Sequence, residues 1–289
     1  MSAKSDEYMP KVVVVILNYK VSDLTLAAVK SVKNTGYENL QIVVVDNNSQ
    51  DKLKEEISEF EDIIFISNKE NLGYSGGNNV GIKEGLKIGA DYILVLNPDT
   101  EVAKNAISKL VEVAKLENAD IVGPKIYFGD KKTIWYAGGV FDFKNVLGTH
   151  RGVNEKDTGQ YDDTTQTDFV TGAAIMVSRK VVEKIGLFDE RYFLYYEDSD
   201  FCFRAKEAGF KVMYMPMAVV YHLNAQTTKL GSPLQDYYIS RNRLLFASKF
   251  LSFRTRFALL REALRNLGSP IRRRALFDFL TGNFGKGGI

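Results

Sequence analysis

The sequence predicts an α/β fold in which a mixed, mostly parallel sheet is covered by helices. The first observation is a set of short apolar runs rich in β-branched residues, such as 12–17, which are typical of strands buried on both faces. The second is that segments with helical spacing alternate with these runs as far as residue 100. Such alternation favours parallel strands joined by right-handed crossovers.

The predicted elements follow one another regularly up to residue 124. In the first helix Leu24, Ala27, Ala28 and Val32 recur at helical spacing, and Gly36 lies just past its end. The predicted strands are 12–17, 42–45, 63–66, 92–96 and 121–124, and the predicted helices are 22–34, 51–60, 79–88 and 103–115.

The pattern changes after residue 124. Residues 125–168 are rich in Gly, Asp and aromatic residues with short strand-like pieces, and helical spacing returns at 179–185. No long linker separates the two parts, so the second part is interpreted as an extension of the same sheet. We predict one domain over 10–225, made of the halves 10–100 and 101–225, followed by helices over 226–289.

The C-terminal segment has the pattern of basic amphipathic helices. Between residues 234 and 278, three acidic residues oppose ten basic ones, with large apolar residues such as Phe253 and Phe257 between them. The pattern fits helices lying on an anionic membrane surface, or helices packed on the domain with their basic face in solvent. The basic residues are Arg241, Arg243, Lys249, Arg254, Arg256, Arg261, Arg265, Arg272, Arg273 and Arg274.

Composition limits the partners and the compartment. The net charge of +2 argues against a nucleic-acid partner. The single cysteine, Cys202, suits a reducing compartment and a buried, unreactive role. Residues 1–10 lack the apolar stretch of a signal peptide, and no segment is apolar enough to span a membrane, so we expect a cytoplasmic protein.

Two carboxylates come at the ends of apolar strands. Asp46 ends one strand, and Asp99 follows another in the segment Asn97-Pro98-Asp99, where Pro98 stops the strand because it has no N–H. Parallel sheets bind ligands at this edge, so both are candidate ligand contacts. The structural alternative is a turn, and after Asp46 an Asx turn into a helix capped by Ser49 would still leave Asp46 free.

A segment rich in glycine and asparagine covers residues 71–81 and opens a predicted helix. Glycine lets the backbone approach a ligand, and a helix N-terminus favours an anionic phosphate. The segment matches neither the dinucleotide fingerprint nor the lysine-bearing P-loop, so hydride transfer and ATP hydrolysis lose their usual support. A flexible loop without a ligand is the alternative.

A carboxylate cluster of Glu197, Asp198 and Asp200 follows an aromatic segment. Apolar neighbours and like charges raise the pKa of a carboxyl group, which tunes a general base toward neutral pH. The alternative is that Ser199 and Asp200 begin the next helix. Glu197 and Asp198 precede that predicted helix, which favours a catalytic interpretation.

Two histidines lie in different patterns. His222 follows a strand-like run, where a structural role is the alternative to a ligand role. With Asp99 and a diphosphate, His222 would complete a cation site of oxygen and imidazole ligands. His150 has no partner pattern and is interpreted as a loop residue.

Together these residues resemble the family 2 glycosyltransferases of the GT-A fold, in particular a bacterial and archaeal rhamnosyltransferase-like branch. The resemblance runs from about residue 10 to the C-terminus and depends on the order and spacing of six motifs. They are Val45-Asp46-Asn47-Asn48-Ser49, Asn71-Leu72-Gly73-Tyr74-Ser75-Gly76-Gly77-Asn78-Asn79, Asn97-Pro98-Asp99, Thr171-Gly172-Ala173-Ala174, Glu197-Asp198-Ser199-Asp200 and His222.

The resemblance implies an inverting sugar transfer by a GT-A domain. Residues 10–100 would form the nucleotide-binding half, and 101–225 the catalytic and acceptor half. Asp198 would deprotonate the acceptor hydroxyl, and Asp99 with His222 would bind Mg²⁺ or Mn²⁺.

The resemblance also implies a set of substrate contacts. Asn97 replaces the first Asp of the family's Asp-x-Asp motif, which weakens a metal role for it and leaves it near the ribose, while Asp46 would contact the nucleobase. Acceptor contacts would come from Trp135 and Glu197, and Trp135 and Tyr136 would either stack on a sugar face or be buried in the core. Donor contacts would come from Asn18, Asp46, Asn71, Gly73, Gly76, Gly77, Asn78, Asn97, Asp99, Thr171, Gly172 and Ala173.

We therefore expect a nucleotide-sugar donor, dTDP-rhamnose or a UDP-hexose, and a polysaccharide or lipid-linked glycan as acceptor. The basic helices would contact an anionic membrane from the cytoplasmic side. The sequence leaves open whether the protein forms a homodimer. Two other classes also stay open. One is a nucleotidyltransferase, although Leu17-Asn18-Tyr19-Lys20 lacks the glycine-rich phosphate loop of such enzymes. The other is a non-catalytic carbohydrate-binding domain.

Overall fold

A ten-stranded sheet runs through the centre of the protein in the computed structural model, which describes residues 8–223 and 231–288. The strand order is β10-β12-β6-β11-β4-β1-β2-β3, with β5 beside β12 and β7 beside β6, while β8 and β9 pair separately. The strands are β1 (Val12–Asn18), β2 (Leu40–Asp46), β3 (Ile63–Ser67), β4 (Tyr92–Leu96), β5 (Thr100–Val102), β6 (Ile121–Phe128), β7 (Ile134–Tyr136), β8 (Gly139–Asp142), β9 (Leu147–His150), β10 (Thr165–Gln166), β11 (Ala174–Ser178) and β12 (Val212–His222).

The direction of the strands differs between the two halves of the sheet. β1 to β4 are mutually parallel neighbours, as the apolar runs predict. β11 is antiparallel to both β4 and β6, and β6 is again parallel to β12. The predicted α/β class with a mixed, mostly parallel sheet and flanking helices is confirmed.

Helices cover both faces of this sheet. The helices that pack on the sheet are α1 (Ser22–Lys33), α2 (Leu53–Ile57), α3 (Gly73–Lys87), α4 (Ala106–Leu116), α5 (Arg179–Ile185), α6 (Glu197–Glu207) and α7 (Pro233–Phe250). One apolar core joins α1, α2 and α4 to one face of the sheet. A second apolar core joins α3, α5, α6 and α7 to the other face. Val12 and Val14 belong to the first core, and Val13 and Val15 to the second. Burial on both faces explains why the apolar run of β1 is continuous.

Two predicted helices differ from the observed ones. The prediction of 51–60 is too long, because α2 covers only Leu53–Ile57, and Lys52 rather than Ser49 occupies its N-cap position. The helix predicted from residue 79 already begins at Gly73. The glycine-rich segment is therefore mainly helical and is not a flexible loop.

The C-terminal helices begin at serine caps. Ser232, Ser252 and Ser269 each accept a backbone N–H at the start of α7, α8 (Phe253–Arg265) and α9 (Pro270–Thr281). α7 packs into the second core, whereas α8 and α9 keep much of their surface exposed. The predicted boundary after residue 225 lies outside the described residues and stays a prediction. No helix in the described ranges is long and apolar enough to cross a membrane.

Candidate active site

The carboxyl ends of β1, β2 and β4 meet at one edge of the sheet. Asn18 is paired in register with Asp46, and Leu96 is paired with Ile16. β11 enters the sheet at the same edge, because Ala174 is paired with Leu96. Ligands of open α/β sheets bind at such an edge. The structure thus brings together the motifs at Asp46, at Asp99 and before β11.

The side chain of Asn18 connects the ends of the first two strands. It is fully buried, and its Nδ2 donates to Asp46 Oδ1 at 2.9 Å, Ser49 Oγ at 3.0 Å and Asp51 Oδ2 at 3.0 Å. The other carboxyl oxygen of Asp46 accepts the N–H of Ser49 at 3.2 Å. The expectation that Asp46 is free is therefore wrong, since the strand-end turn engages both oxygens. A donor contact of Asp46 would use the remaining lone pairs.

Asp99 and His222 form a buried pair at this edge. Nε2 of His222 lies 3.0 Å from Asp99 Oδ1, and the two residues are 5% and 3% exposed. The pairing of β5 with β12 sets this contact, because it places His222 opposite Thr100. Nδ1 of His222 is buried and has no hydrogen-bond partner among the described residues.

This pair offers one carboxylate and one imidazole, and both groups are common ligands of divalent cations. The orphaned Nδ1 of His222 points away from Asp99, so a cation shared by the two residues would bind at Nε2 and replace its contact with Asp99 Oδ1. In residues 8–223 and 231–288, no group of three or more His, Cys, Asp or Glu residues is arranged to hold a metal ion. A cation at Asp99 and His222 would therefore need oxygens from a bound substrate to complete its coordination.

An aromatic ring packs against His222. The half-buried Trp135 packs edge-on against His222 with ring centroids 4.5 Å apart, and against His150 at 4.4 Å. The interpretation of His150 as an unpartnered loop residue is wrong, because it ends β9 and its Nδ1 lies 3.2 Å from the Trp135 carbonyl. Burial lowers the pKa of His150 to about 4. Tyr136 is fully buried and donates to the Phe169 carbonyl at 2.8 Å, so of the two predicted stacking residues only Trp135 faces the site.

Asp198 lies half-buried in the first turn of α6. Its Oδ2 accepts the N–H of Gly172 at 2.9 Å, and its Oδ1 accepts the N–H of Ser199 at 2.6 Å. Burial raises the pKa of Asp198 above the ordinary value of 3.8, although these N–H groups oppose the shift. The carboxyl group is thus held in one place and is more basic than an exposed aspartate, as a general base requires.

Glu197 is the first residue of α6 and is 5% exposed. Burial, together with the charge of Asp198, raises its pKa well above 4.5. The expectation that both residues precede the helix is wrong, since both lie in its first turn, where the helix dipole favours acidic groups. The dipole does not explain why Glu197 Oε2 is buried without a hydrogen-bond partner in the described part of the chain.

A short segment before β11 connects Asp198 to the turn that carries Asp99. Gly172 donates its N–H to Asp198, and the carbonyl of the next residue, Ala173, accepts the N–H of Asn97 at 2.9 Å. The candidate base and the candidate metal ligand are therefore tied to one segment. The backbone of this segment therefore contacts both the side chain of Asp198 and the main chain of the turn that carries Asp99.

Tyr74 supports this segment from α3. Its hydroxyl donates to the Gly172 carbonyl at 2.5 Å, and a Cβ on Gly172 would lie 2.5 Å from that hydroxyl. Thr171 is 5% exposed, and its Oγ1 accepts the N–H of Ala173 at 3.4 Å. Glycine at position 172 is thus required by close approach to Tyr74.

The glycines of α3 bring this helix close to the sheet. A Cβ on Gly77 would lie 2.5 Å from Leu17 Cδ1, and one on Gly81 would lie 2.3 Å from Val15 Cγ1. A Cβ on Gly76 would lie 2.8 Å from the Cβ of Leu72. Packing against β1 therefore explains Gly77, and close approach to the N-cap residue of the same helix explains Gly76, while their contact with a donor stays a prediction.

Protein acceptors already engage the first N–H groups of α3. Gly73 donates to Asn71 Oδ1 at 2.8 Å, and Tyr74 donates to the Phe193 carbonyl at 2.7 Å. Asn78 is fully buried, with Nδ2 donating to the Tyr74 carbonyl and Oδ1 without a partner in the described ranges. Phosphate binding at this helix end stays a prediction, and the bonds to Asn71 and Phe193 compete with it.

Sequence reasoning missed the contacts that hold the segment before α6. We call residues 191–196 the pre-helix loop. Its Phe193, Tyr195 and Tyr196 have φ of 63°, 68° and 75°, a left-handed backbone that costs roughly 1–2 kcal/mol per residue. Arg241 and Asn242 of α7 donate to its carbonyl groups. No sequence pattern distinguished these two residues from the other polar residues of α7.

Asn47 is a second residue that was not assigned a role. Its Nδ2 donates to Asn71 Oδ1 at 2.9 Å and to the Gly73 carbonyl at 3.0 Å, while its Oδ1 accepts from Asn68 and Leu72. It therefore ties the end of β2 to the start of α3. Its position directly after Asp46 was the available signal.

The model of one protein family matches this chain. It is described as glycosyl transferase family 2, and the match covers residues 12–186, more than half of the chain.

Curated relatives are similar over most of the chain. It is 29% identical over 241 residues to the low-salt glycan biosynthesis hexosyltransferase Agl10 of Haloferax volcanii, covering 83% of this chain and 76% of the relative. It is 29% identical over 221 residues to the dTDP-rhamnosyl transferase RfbF of Shigella flexneri, covering 73% and 72%. It is 26% identical over 212 residues to an N-acetylglucosaminyl-diphospho-decaprenol L-rhamnosyltransferase of Mycobacterium tuberculosis, covering 65% and 68%.

Solved structures share the fold at low sequence identity. The mannosyltransferase PcManGT from Pyrobaculum calidifontis, solved with GDP-Man and Mn²⁺, matches with a TM-score of 0.60 and 16% identity, covering 98% of this chain and 77% of that chain. GalNAc-T7, solved with UDP, GalNAc and Mn²⁺, matches with a TM-score of 0.62 and 18% identity, covering 83% and 51%. At these identities the likeness establishes the GT-A fold.

Proposed function

The chain belongs to glycosyl transferase family 2, and on that premise we propose that it catalyses an inverting transfer of a sugar from a nucleoside-diphosphate donor to a hydroxyl group. The observation that carries this proposal is the hydrogen-bonded link from the Asp198 carboxylate through Gly172 and Ala173 to the N–H of Asn97, two residues before Asp99. One carboxylate for the acceptor and one for the donor diphosphate are thereby held at the same sheet edge.

Asp198 is proposed as the general base. A sugar hydroxyl is a poor nucleophile at neutral pH, and a positioned base contributes typically roughly 10²–10⁴-fold to the rate. Asp198 accepts the proton as the acceptor oxygen attacks the anomeric carbon on the face opposite the leaving diphosphate, which inverts the configuration. Glu197 and Trp135 are proposed to contact the acceptor.

Asp99 and His222 are proposed to hold Mg²⁺ or Mn²⁺. When bound, the cation stabilises the negative charge that develops on the leaving diphosphate. Asp46 and Asn18 lie at the ends of adjacent strands and are proposed to contact the nucleobase side of the donor, with Asn97 near the ribose. In this proposal residues 10–100 bind the nucleotide, and residues 101–225 supply the base and the acceptor site.

The donor is proposed to be dTDP-rhamnose or a UDP-hexose, and the acceptor a polysaccharide or a lipid-linked glycan. The support comes from relatives whose names specify dTDP-rhamnosyl transfer, hexosyl transfer in glycan biosynthesis, and transfer to a decaprenol-linked sugar.

The outer face of α8 and α9 is proposed to contact an anionic membrane reversibly. Phe253 and Phe257 of α8 are 79% and 53% exposed with their rings stacked, and Phe277 and Leu280 of α9 are 57% and 62% exposed. Exposed arginines flank them at positions 254, 261, 265 and 273. An apolar face with a basic rim fits anionic lipid. Co-sedimentation with vesicles should rise with anionic lipid content, and binding that ignores this content would contradict the proposal.

Products test the proposed reaction directly. A panel of nucleotide sugars is first screened by thermal shift with Mn²⁺, and stabilising donors are then incubated with glycan acceptors. Release of the nucleoside diphosphate with an inverted anomeric linkage is expected. Pyrophosphate release would indicate nucleotidyl transfer instead, and binding of sugars without release of a nucleoside diphosphate would indicate a non-catalytic domain.

A further inference from the structure

Two adjacent residues of α7, Arg241 and Asn242, lie against the main chain of the pre-helix loop. Both are fully buried. The amide Nδ2 of Asn242 donates to three carbonyl oxygens of this loop. These belong to Tyr192 at 2.9 Å, Leu194 at 2.8 Å and Tyr195 at 2.8 Å.

Arg241 fixes both the loop and the orientation of Asn242. Its Nη2 donates to the carbonyls of Arg191 at 3.1 Å and Tyr192 at 3.0 Å, and its Nη1 donates to that of Gly285 at 2.8 Å. Its Nε donates to Asn242 Oδ1 at 3.0 Å, so the amide must turn its N–H groups toward the loop. These acceptors are neutral oxygens, which is unusual for a buried cation.

The pre-helix loop requires such support. Phe193, Tyr195 and Tyr196 adopt left-handed backbone angles, and such angles persist only where the surroundings over-determine them. The Phe193 ring also stacks on Tyr238 of α7, with centroids 5.4 Å apart. Asp198 lies two residues after the end of this loop, in the first turn of α6, so a shift of the loop moves Asp198 as well.

α7 also contacts the chain on the other side of Asp198. Lys249 forms ion pairs with Asp200, which is fully buried in the first turn of α6, and with Asp189 at 2.8 Å. One helix therefore holds the chain before and after Asp198.

We propose that Arg241 and Asn242 are positioning residues of the transfer reaction. Their N–H groups fix the backbone of the pre-helix loop and thereby the place of Asp198 relative to the acceptor hydroxyl. Neither side chain needs to touch a substrate. This inference rests on the proposed function, because it takes Asp198 as the base.

The test separates positioning from general stability by comparing two variants. Asn242→Ala removes the amide donors, and a misplacement of about 1 Å in a reacting group can cost roughly 100-fold in rate, so kcat should fall roughly 10–100-fold. Donor affinity measured by calorimetry should change much less than kcat, since the contact of the loop with the donor side is the Phe193 carbonyl at the start of α3, which Asn242 does not bind. Hydrogen exchange of residues 191–198 should become faster.

Leu110→Ala is the control. Leu110 is 1% exposed on α4, which packs on the opposite face of the sheet from α6 and α7. This variant should lower Tm but leave kcat and the exchange of residues 191–198 as in the parent protein. An unchanged kcat in Asn242→Ala, or an equal fall of kcat in Leu110→Ala, would overturn the proposal.

If Asn242→Ala does not fold, Arg241→Lys takes its place. Lysine keeps the charge but lacks the planar fork that spans two carbonyls and the neighbouring amide, so the same loss of kcat at constant donor affinity is expected. A normal kcat in Arg241→Lys would overturn the proposal. Failure of the proposed function is recognised separately, because the parent protein would then release no nucleoside diphosphate, whereas hydrogen exchange does not depend on turnover.

Discussion

Asp99 and Asp198 reach the same sheet edge by different means. Asp99 follows β4 directly, and its partner His222 ends β12, so regular strand pairing brings them together. Asp198 instead follows an irregular loop with three left-handed residues, which is held by a helix some 45 residues further along the chain. The donor side is thus positioned by the sheet and the base side by distant side-chain contacts.

The donor side and the base side should therefore respond differently to mutation. A substitution in the strands of the donor side should act through stability or ligand affinity. A substitution near the pre-helix loop should act on kcat, because a small displacement of a base costs rate before it costs binding.

The largest expected effect is that of Asp198→Asn, which removes the base without a change of size. kcat should fall by roughly 10²–10⁴-fold, while donor affinity measured by calorimetry stays close to that of the parent protein. Asp62→Asn is the control, since Asp62 pairs with Lys33 on the surface and should leave kcat unchanged. Retained turnover in Asp198→Asn would refute the base assignment.

The second-largest effect should be on donor binding, in contrast to the effect of Asp198→Asn on kcat. Asp99→Ala, or EDTA added to the parent protein, should weaken donor binding by roughly 100-fold, about 3 kcal/mol, because the diphosphate loses its cation. Calorimetry with and without Mn²⁺ measures this loss. Undiminished donor affinity under either condition would contradict the metal role of Asp99.

The third effect concerns the packing of α3 on β1. In Gly81→Ala the new Cβ would lie 2.3 Å from Val15 Cγ1, so the helix must move from the sheet. Overpacking should lower the free energy of unfolding by roughly 1–3 kcal/mol in urea titration. Gly268→Ala is the control, because no atom lies within 4 Å of a Cβ at Gly268. A Gly81→Ala protein as stable as the control would show that α3 is not closely packed.

The smallest expected effect is on the pH dependence of stability, and it comes from Glu197 on the base side. Its pKa is raised in the folded protein, so the folded state binds more protons than the unfolded state between the two pKa values. The free energy of unfolding therefore falls as pH rises from about 4.5 through the folded pKa. Glu197→Gln should remove this fall and raise Tm at pH 7 more than at pH 4. An equal change of Tm at both pH values would exclude a titrating Glu197.

Much of the donor side was predictable from local patterns. The continuous apolar runs predicted β1 to β4, and the polar residues at their ends predicted that Asp46 and Asp99 share an edge. The glycines of α3 were interpreted less well. Their number at a helix start favoured contact with an anionic phosphate, which stays a prediction, whereas the structure shows Gly77 and Gly81 packed against Leu17 and Val15.

The base side and the C-terminal helices were less predictable. Charge counting treated Arg241 and Lys249 as part of a basic surface, but Arg241 is fully buried and Lys249 pairs with buried Asp200. A charge pattern cannot distinguish a solvated cation from one that neutralises or binds groups far away in the sequence. The same limit applied to His150, whose partners lie on other strands.

The sequence by itself determined the order of the main strands and helices as far as residue 124, the residues at the strand ends and the family resemblance, because these depend on local spacing and on the covalent order of the chain. Only the tertiary structure decided which atoms join His222 and Asp99, that Gly172 holds Asp198, and that Arg241 and Asn242 hold the pre-helix loop. Each of these is a contact between residues distant in sequence. Their free energies depend on burial and geometry that no local pattern encodes.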